Sequence, residues 1–371
     1  MAIEIKEIVQ GDLKAFVKFP FELYDGNEYW VPPLISEEMK TLSPASNGAF
    51  EYCECIKVLA FKDGKIVGRI AGIINSREND RNDVKQAKFG WFDFIDDLEV
   101  SKALLQKVED WAKAKGYNQL EGPLGFTNLD KMGMLIEGFQ YLPTITSLYN
   151  YEYYPKHMDE LGYRKGVDWV EYKFNVPEVP DKIKRWSKII EEKYELSAPD
   201  IDNKADAIRY GKKIFALFNQ THKELHGFTA LNETQMENYM NKYIRFIRYE
   251  MITVIVDKED EVVGFAVSFP NLAKAFQKAN GKLFPFGIFH IIRAVRKMEK
   301  TTLYLIGVKK EYQNKGLSAV IFNNYLSKYN RLNIKFSESN PELESNNSVK
   351  LLWKNYEHEM HKRRRSFIKD F

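Results

Sequence analysis

Apolar and polar positions in the first half of the chain follow the periods of short strands and of one long helix. Two apolar runs flank the turn residues Asp63 and Gly64, which predicts a hairpin. Residues 101–116 carry apolar positions at helical spacing and end in glycine, which predicts an amphipathic helix. From about residue 126 to 174 no period persists, so we expect an irregular, aromatic-rich region there.

The order of elements in the first half returns in the second half. The segment 175–181 has two prolines between charged residues, which is typical of a linker. The elements predicted after it are helices at 182–194, 208–225 and 233–246, a hairpin at 251–269, a strand–helix–strand unit at 301–338, a helix at 344–357 and a strand at 362–369. We therefore predict an α/β protein of two tandem domains, residues 1–175 and 176–371, each a mixed, mostly antiparallel sheet flanked by helices.

A basic loop joins the strand and the helix of that strand–helix–strand unit. It contains Lys309, Lys310 and Lys315 and ends at Gly316. A helix N-terminus presents backbone N–H groups without intrahelical partners and a partial positive charge. Glycine lets a phosphate approach that backbone closely, and the lysines add positive charge. The pattern favours a phosphate-binding loop over a merely solvated helix cap.

The motif Gln313-x-x-Gly316-x-Ser318, placed after an apolar strand and before a helix, resembles the signature of the GNAT superfamily of acyl-CoA-dependent N-acyltransferases. The family has Gly or Ala where this chain has Ser318, which is also small. The resemblance implies that acetyl-CoA or acyl-CoA binds as a substrate. The residues it implies for binding are Ile306, Gly307, Val308, Gln313, Asn314, Lys315, Gly316, Leu317 and Ser318.

The corresponding place in the first half lacks this motif. Asp96, Asp97 and Glu99 follow the strand there, and carboxylates repel phosphates. We expect no CoA site in residues 1–175. We expect instead that this half forms one wall of an acceptor cleft between the domains.

Acyl transfer to an amine needs a group that takes the amine proton and a donor that polarises the thioester. The resemblance places that donor in the backbone near Gly307 or Val308. Glu338, at the end of a predicted strand, and His222 are the candidate bases; His226, four residues later, is an alternative contact. The two histidines have the spacing of metal ligands, but a third ligand is not evident and we predict no metal site.

The acid that protonates the leaving thiolate in GNAT enzymes is usually a tyrosine in the helix after that strand. At the matching position this chain has Trp353, and indole cannot supply the proton. Tyr356, three residues further on, is the candidate replacement, with a structural tyrosine as the alternative.

Residues 262–298 contain no Asp or Glu, and within them 271–298 interleaves Lys and Arg with Phe and Ile. This mixture suits a membrane surface or a lipid-like substrate, and we expect the segment to line or cover an apolar channel towards Gly307. A core helix with a basic edge is the alternative. The run at 361–365, HKRRR, is predicted to lie on a final edge strand, where charge discourages edge pairing.

The chain also resembles, through YWVPPL, DGKIVGRIAGIIN, NGKLFPFG and GVKKEYQNKGL, bacterial tandem GNAT-like proteins that include ceramide-forming N-acyltransferases. The leading hypothesis is an acyl-CoA-dependent N-acyltransferase acting on a small-molecule or lipid amine. The alternatives are a non-catalytic acyl-CoA-binding or interaction protein and an aminoacyl-tRNA-dependent peptidyltransferase. No nucleic-acid partner is expected. With two cysteines and no signal peptide or apolar span, a cytoplasmic protein, membrane-peripheral through 271–298, is expected.

Overall fold

The computed structural model describes residues 2–8, 10–244, 246–346 and 357–371. Its strands are β1 (Glu4–Glu7), β2 (Cys53–Lys62), β3 (Lys65–Asn75), β4 (Gln86–Phe94), β5 (Gln119–Gly122), β6 (Met134–Glu137), β7 (Arg164–Asn175), β8 (Ile252–Val256), β9 (Val262–Pro270), β10 (Lys300–Val308), β11 (Phe336–Ser339), β12 (Glu342–Leu343) and β13 (His358–Asp370).

The helices of the described residues pack on both faces of these strands. They are α1 (Leu13–Leu23), α2 (Ile35–Thr41), α3 (Ser76–Asn82), α4 (Leu98–Ala114), α5 (Tyr153–Glu160), α6 (Asp181–Tyr194), α7 (Lys204–Thr221), α8 (Glu233–Tyr243), α9 (Ala273–Ala279), α10 (Gly287–Arg296) and α11 (Leu317–Arg331). In the part of the chain that the structure describes, no helix is both long enough and apolar enough to cross a membrane.

One continuous sheet runs through both halves of the molecule. Its order is β1-β2-β3-β4-β5-β13-β7-β11-β10-β9-β8, with β12 and β6 attached beside it. Strand β13, the last in the chain, lies between β5 and β7, and β7 in turn pairs with β11. Each half therefore receives a strand from the other. The boundary at 175/176 stays a prediction, and β7 ends at Asn175.

The prediction that the basic run 361–365 lies on an edge strand is wrong. Over this run β13 pairs with β7 on one side and, from Arg363 to Arg365, with β6 on the other, and Arg364 is fully buried. Its charge is met by Glu171 of β7, whose Oε1 lies 2.5 Å from Arg364 Nε. Arg365 binds Asp168 in the same way, with N–O distances of 2.8 and 3.0 Å. The basic run is internal because the facing strand carries matched carboxylates.

The expectation of an irregular region up to residue 174 is also wrong in part. Strand β6, helix α5 and the twelve-residue strand β7 all lie within it. The charged residues of β7 concealed the strand, since Asp168 and Glu171 interrupt the apolar alternation although both are buried.

Most other elements match the sequence pattern. The hairpin of β2 and β3 turns at Asp63 and Gly64, whose φ values of 53° and 74° are those of a type I′ turn. Helix α4 buries Leu104, Leu105 and Val108 against the sheet. The mixed sheet and the repeated order of elements are confirmed. The helix predicted at 344–357 falls almost wholly outside the described residues.

Candidate functional site

An opening in the sheet lies beside the carboxyl end of β10. β10 and β11 pair in parallel only from Lys300 to Leu303, and Asn340 N–H then donates to Leu303 C=O at 3.0 Å. Beyond this point β10 continues to Val308 along β9, whereas the chain after β11 turns away to pair with β7 as β12. Residues 304–308 thus have one strand edge that β11 does not cover.

The basic loop follows this open edge directly. A 3₁₀ turn at Lys310–Tyr312 leads to Gln313, and Gly316 is the N-cap of α11 with φ of 83°. Gln313 Nε2 donates to Val308 C=O at 3.1 Å, which ties the loop to the end of the strand. The backbone from Gln313 to Gly316 is exposed, and Ser318 is half-buried. The first turn of α11 is therefore open to a phosphate-bearing ligand.

Gly307 is a buried position on β10 with little free space. A Cβ built on it would lie 2.6 Å from Phe265 and 3.2 Å from Thr221 Oγ1. Thr221 ends α7, and its hydroxyl is 2.8 Å from Nδ1 of the next residue, His222. The structure thus brings His222 close to Gly307, while Ile306 and Val308 on either side are half-buried.

His222 is a weak proton acceptor in this position. Its ring stacks on Phe218 with centroids 4.2 Å apart, and burial lowers its pKa to about 4. Such an imidazole stays neutral at pH 7 but has little affinity for a proton.

His226 is better suited to accept a proton than His222, a difference that their sequence context does not reveal. Its Nε2 lies 3.0 Å from Oε1 of Glu121, and its side chain is 28% exposed whereas that of Glu121 is 1% exposed. Burial lowers the pKa of His226, but the Glu121 carboxylate outweighs burial, so the pKa lies above its ordinary value. Glu121 comes from β5 of the first half, and no local pattern could have linked it to His226.

Glu338 lies in a buried charge network. Its Oε2 is 3.1 Å from Lys362 Nζ and 3.2 Å from His361 Nε2, and its Oε1 accepts from Asn271 Nδ2 at 2.7 Å. Burial raises the pKa of Glu338, but Lys362 and His361 outweigh that effect and the pKa falls below its ordinary value. Glu338 is therefore ionised but already engaged.

Glu171, Glu338 and His361 are close enough to one another to hold a metal ion, with ligand atoms within 4.8 Å. However, Lys362 Nζ lies 2.7 Å from Glu171 and 3.1 Å from Glu338. The ammonium already supplies the cation between these carboxylates. The candidate acid Tyr356 lies outside the described residues, as does Trp353.

The first half has a matching opening but a different loop. β4 and β5 pair from Gln86 to Lys88, and β4 then continues to Phe94 with only β3 of the described strands beside it. Where the second half has its exposed loop, the Asp97 carboxylate caps α4 by accepting from Glu99 N–H at 3.1 Å, and it pairs with Lys62 at 2.8 Å. A carboxylate of the protein occupies the helix end that a phosphate would need.

Solved structures with the same arrangement decide the fold. Over 100% of this chain and 98% of the other, the structure matches a tandem GNAT protein from the clavulanic acid biosynthesis pathway, with a TM-score of 0.55 at 11% identity. The chain has the tandem GNAT fold. The open edge of β10 and the loop before α11 are therefore those of the second GNAT unit, and the split between β4 and β5 is that of the first.

Two curated proteins are similar to this tandem GNAT chain in sequence. Protein YghO of Escherichia coli (strain K12) is 29% identical over 317 residues, which cover 84% of this chain and 80% of that protein. The bacterial ceramide synthase of Caulobacter vibrioides is 26% identical over 314 residues, which cover 82% and 79%. No family model matches the chain.

Proposed function

We propose that this protein is an acyl-CoA-dependent N-acyltransferase whose acceptor is a long-chain or lipid amine. The observation that carries the proposal is the exposed loop from Gln313 to Gly316, which lies between the open edge of β10 and the N-terminus of α11. The loop suits a pyrophosphate, and the open strand edge beside it suits an extended pantetheine arm, whose amides can bond to backbone groups.

The reaction forms a C–N bond and breaks the C–S bond of the thioester. The neutral amine attacks the carbonyl carbon, the backbone near Gly307 or Val308 stabilises the charge that develops on the carbonyl oxygen, and CoA leaves as a thiolate that takes up a proton. The amine must lose one proton. His226, held by Glu121, is the group we assign to accept it, directly or through water.

His222, Glu338 and Tyr356 stay candidates of lower rank. The low pKa of His222 suits a neutral residue that shapes the pocket beside Gly307. The contacts of Glu338 with Lys362, His361 and Asn271 suit a residue that fixes the sheet next to the opening. Tyr356 keeps its proposed role as the acid for the thiolate.

The name of the Caulobacter relative supports a lipid amine as acceptor, because a ceramide is an N-acylated sphingoid base. The segment 271–298 supports the same conclusion. The connection between α9 and α10 presents Phe284 and Phe286, and α10 presents Phe289, with 74%, 72% and 65% of their surface exposed. Large apolar residues clustered in water at this exposure are unusual for a soluble domain.

The basic residues of this helical hairpin, α9 and α10 with their connection, are exposed as well: Lys274, Lys278, Lys282, Arg293, Arg296 and Lys297. Gln277 Nε2 fixes the hairpin to the first half by donating to the C=O groups of Glu28 and Trp30, at 2.8 and 3.0 Å. We propose that the hairpin rests on an anionic membrane surface from which the acceptor is drawn.

The test is a series of acyl-CoAs from acetyl to palmitoyl, each offered with a sphingoid base, a phosphoethanolamine lipid and a short polyamine. We expect transfer to rise with acyl length and to favour a lipid amine, since each buried methylene adds about 0.8 kcal/mol. Equal rates along the series would indicate a short-chain acetyltransferase. CoA binding with no transfer to any amine would indicate a non-catalytic protein.

A further inference from the structure

A cavity lies in the split between β4 and β5 of the first half, and the second half covers it. Its volume is about 140 Å³. The first half contributes Trp91 and Phe92 from β4. The second half contributes Phe276 from α9 and Phe246, which lies just beyond the end of α8. Gly307 is not among the lining residues, so this cavity is distinct from the channel that the sequence predicts for residues 271–298.

Two lysines face the cavity without a direct contact to a carboxylate. Neither Lys131 nor Lys242 forms an ion pair or hydrogen bond with another residue of the described ranges, and the residues outside those ranges include no Asp or Glu. Lys242 only approaches the ring of Tyr243, 5.5 Å from its centroid. Burial lowers the pKa of Lys131, and the nearby Glu38 carboxylate offsets only part of that effect. Burial also lowers the pKa of Lys242, but Tyr243, Glu38 and Asp130 outweigh burial, so this pKa lies above its ordinary value.

The carboxylates that face the same cavity are already engaged. Their partners are Lys40 for Glu37 at 3.2 Å, Trp91 Nε1 for Glu38 at 2.7 Å, Arg69 for Asp93 at 2.7 Å, and Thr127 N–H for Asp130 at 3.1 Å. Burial raises the pKa of Asp130, and the hydroxyl of Tyr239 also donates to its Oδ1 at 3.3 Å. The groups left to meet a ligand are therefore the two ammonium groups and the aromatic walls.

We propose that this cavity binds an amphiphile with an oxyanion head group, a carboxylate or a phosphate monoester, held by Lys131 and Lys242. The enclosed volume is close to that of a cavity that holds benzene, so it fits the head group and the first carbons of a chain, and the rest of the chain leaves along Trp30 and Leu34. CoA is not the expected ligand of this cavity, because Asp97 caps the N-terminus of α4, where a pyrophosphate would bind.

This inference does not rest on the acyltransferase proposal, and its test needs neither CoA nor turnover. Dodecanoate, dodecyl phosphate, dodecanol and dodecylamine would be titrated into the full chain below their micellar concentrations. Trp30 and Trp91 line the cavity, so their fluorescence reports binding alongside calorimetry. We expect both anions to bind at least about tenfold more tightly than the alcohol, and the amine to bind least. The tighter of the two anions identifies the head group.

The variants Lys131→Met and Lys242→Met should each weaken anion binding about tenfold and leave dodecanol unchanged, while Lys102→Met on the exposed face of α4 should change neither. Lys131→Arg keeps the charge and should retain binding. Where a Met variant fails to fold, the Arg variant and the head-group series on the unmodified chain decide. Equal binding of alcohol and anion, or full anion binding in both Met variants, would overturn the proposal.

Discussion

The imidazole of His226 and the carboxylate of Glu121 lie 3.0 Å apart, although 105 residues separate them in the chain. His226 follows α7 of the second half, and Glu121 lies on β5 of the first half. Ser366 of β13 also donates to Glu121, at 2.6 Å. The orientation of the imidazole therefore depends on both halves and on the exchanged strand, so the proposed base is complete only in the assembled sheet.

Replacing the imidazole should separate catalysis from cofactor binding. His226→Gln should lower kcat/KM by about 10²–10⁴-fold, the usual contribution of a general base, with CoA affinity unchanged. His222→Gln serves as the matched control on the same segment and should cost less. Steady-state kinetics and calorimetry with CoA measure the two effects. A larger loss in the His222 variant would assign the proton acceptor to His222 instead.

The pH profile should carry the signature of the dyad. Glu121 raises the pKa of His226 above its ordinary value, so kcat/KM should increase as pH rises through that raised pKa and the imidazole loses its proton. In Glu121→Gln the raising partner is gone and burial remains, so the midpoint should move to lower pH. An unchanged midpoint, measured with acceptor amines of different basicity, would exclude His226 as the titrating group.

Glycine at the N-cap of α11 should be essential for CoA binding. Gly316 has φ of 83°, and a Cβ there would lie 3.1 Å from Ile190. Gly316→Val should weaken CoA binding at least about tenfold, equal to about 1.4 kcal/mol. Gly116 has the same φ of 83° with nothing near its Cβ position, so Gly116→Val imposes similar backbone strain in the first half. Equal CoA affinity in both variants would argue against the loop.

The exposed rings of the α9–α10 hairpin should be needed for membrane contact. Phe286→Asp with Phe289→Asp should abolish co-sedimentation with vesicles containing anionic lipid, because the change removes apolar area and adds repulsive charge. Trp186→Asp with Ile189→Asp is the matched control, since both side chains are 51% exposed on α6. Loss of sedimentation in the control as well, or binding to neutral vesicles alone, would contradict the assignment.

A buried ion pair between β7 and β13 should contribute more to stability than an exposed ion pair between the same two strands. Arg364→Met leaves Glu171 without one of its two cations in the core, and we expect a loss of about 3–5 kcal/mol in the free energy of unfolding. Arg164 pairs with Asp370 at the surface, so Arg164→Met should cost at most about 1 kcal/mol. Denaturant unfolding compares the two. An unchanged free energy of unfolding in Arg364→Met would show that Lys362 alone is enough to compensate Glu171.

The sequence predicts elements that depend on neighbouring residues, but it does not predict the strand pairing between the two halves. The β2–β3 hairpin, α4 and the β10–α11 unit follow from turn residues and periodicity, which act within a few residues. β7 was not predicted and β13 was placed on an edge, because each strand carries buried charges that are paired by the other strand. Glu171 and Arg364 are 193 residues apart, and either alone would be costly in a core.

The candidate site divides in the same way. The loop from Gln313 to Gly316 could be found because its function resides in consecutive backbone groups. His226 could not be ranked above His222, since the difference lies in Glu121 and in the stacking of His222 on Phe218. The lysines of the first-half cavity carry no sequence signal, because an unpaired charge is a property of the folded surroundings.

The exchanged strand also imposes an order on biosynthesis. β13 is synthesised after all the other described strands, yet it lies between β5 and β7, so the first half leaves the ribosome with a gap in its sheet and with Glu171 lacking its cations. Until β13 emerges, the edges of β5 and β7 are open to other strands, which is a hazard during slow, non-local pairing. The sheet of the first half can therefore close only after β13 has been synthesised.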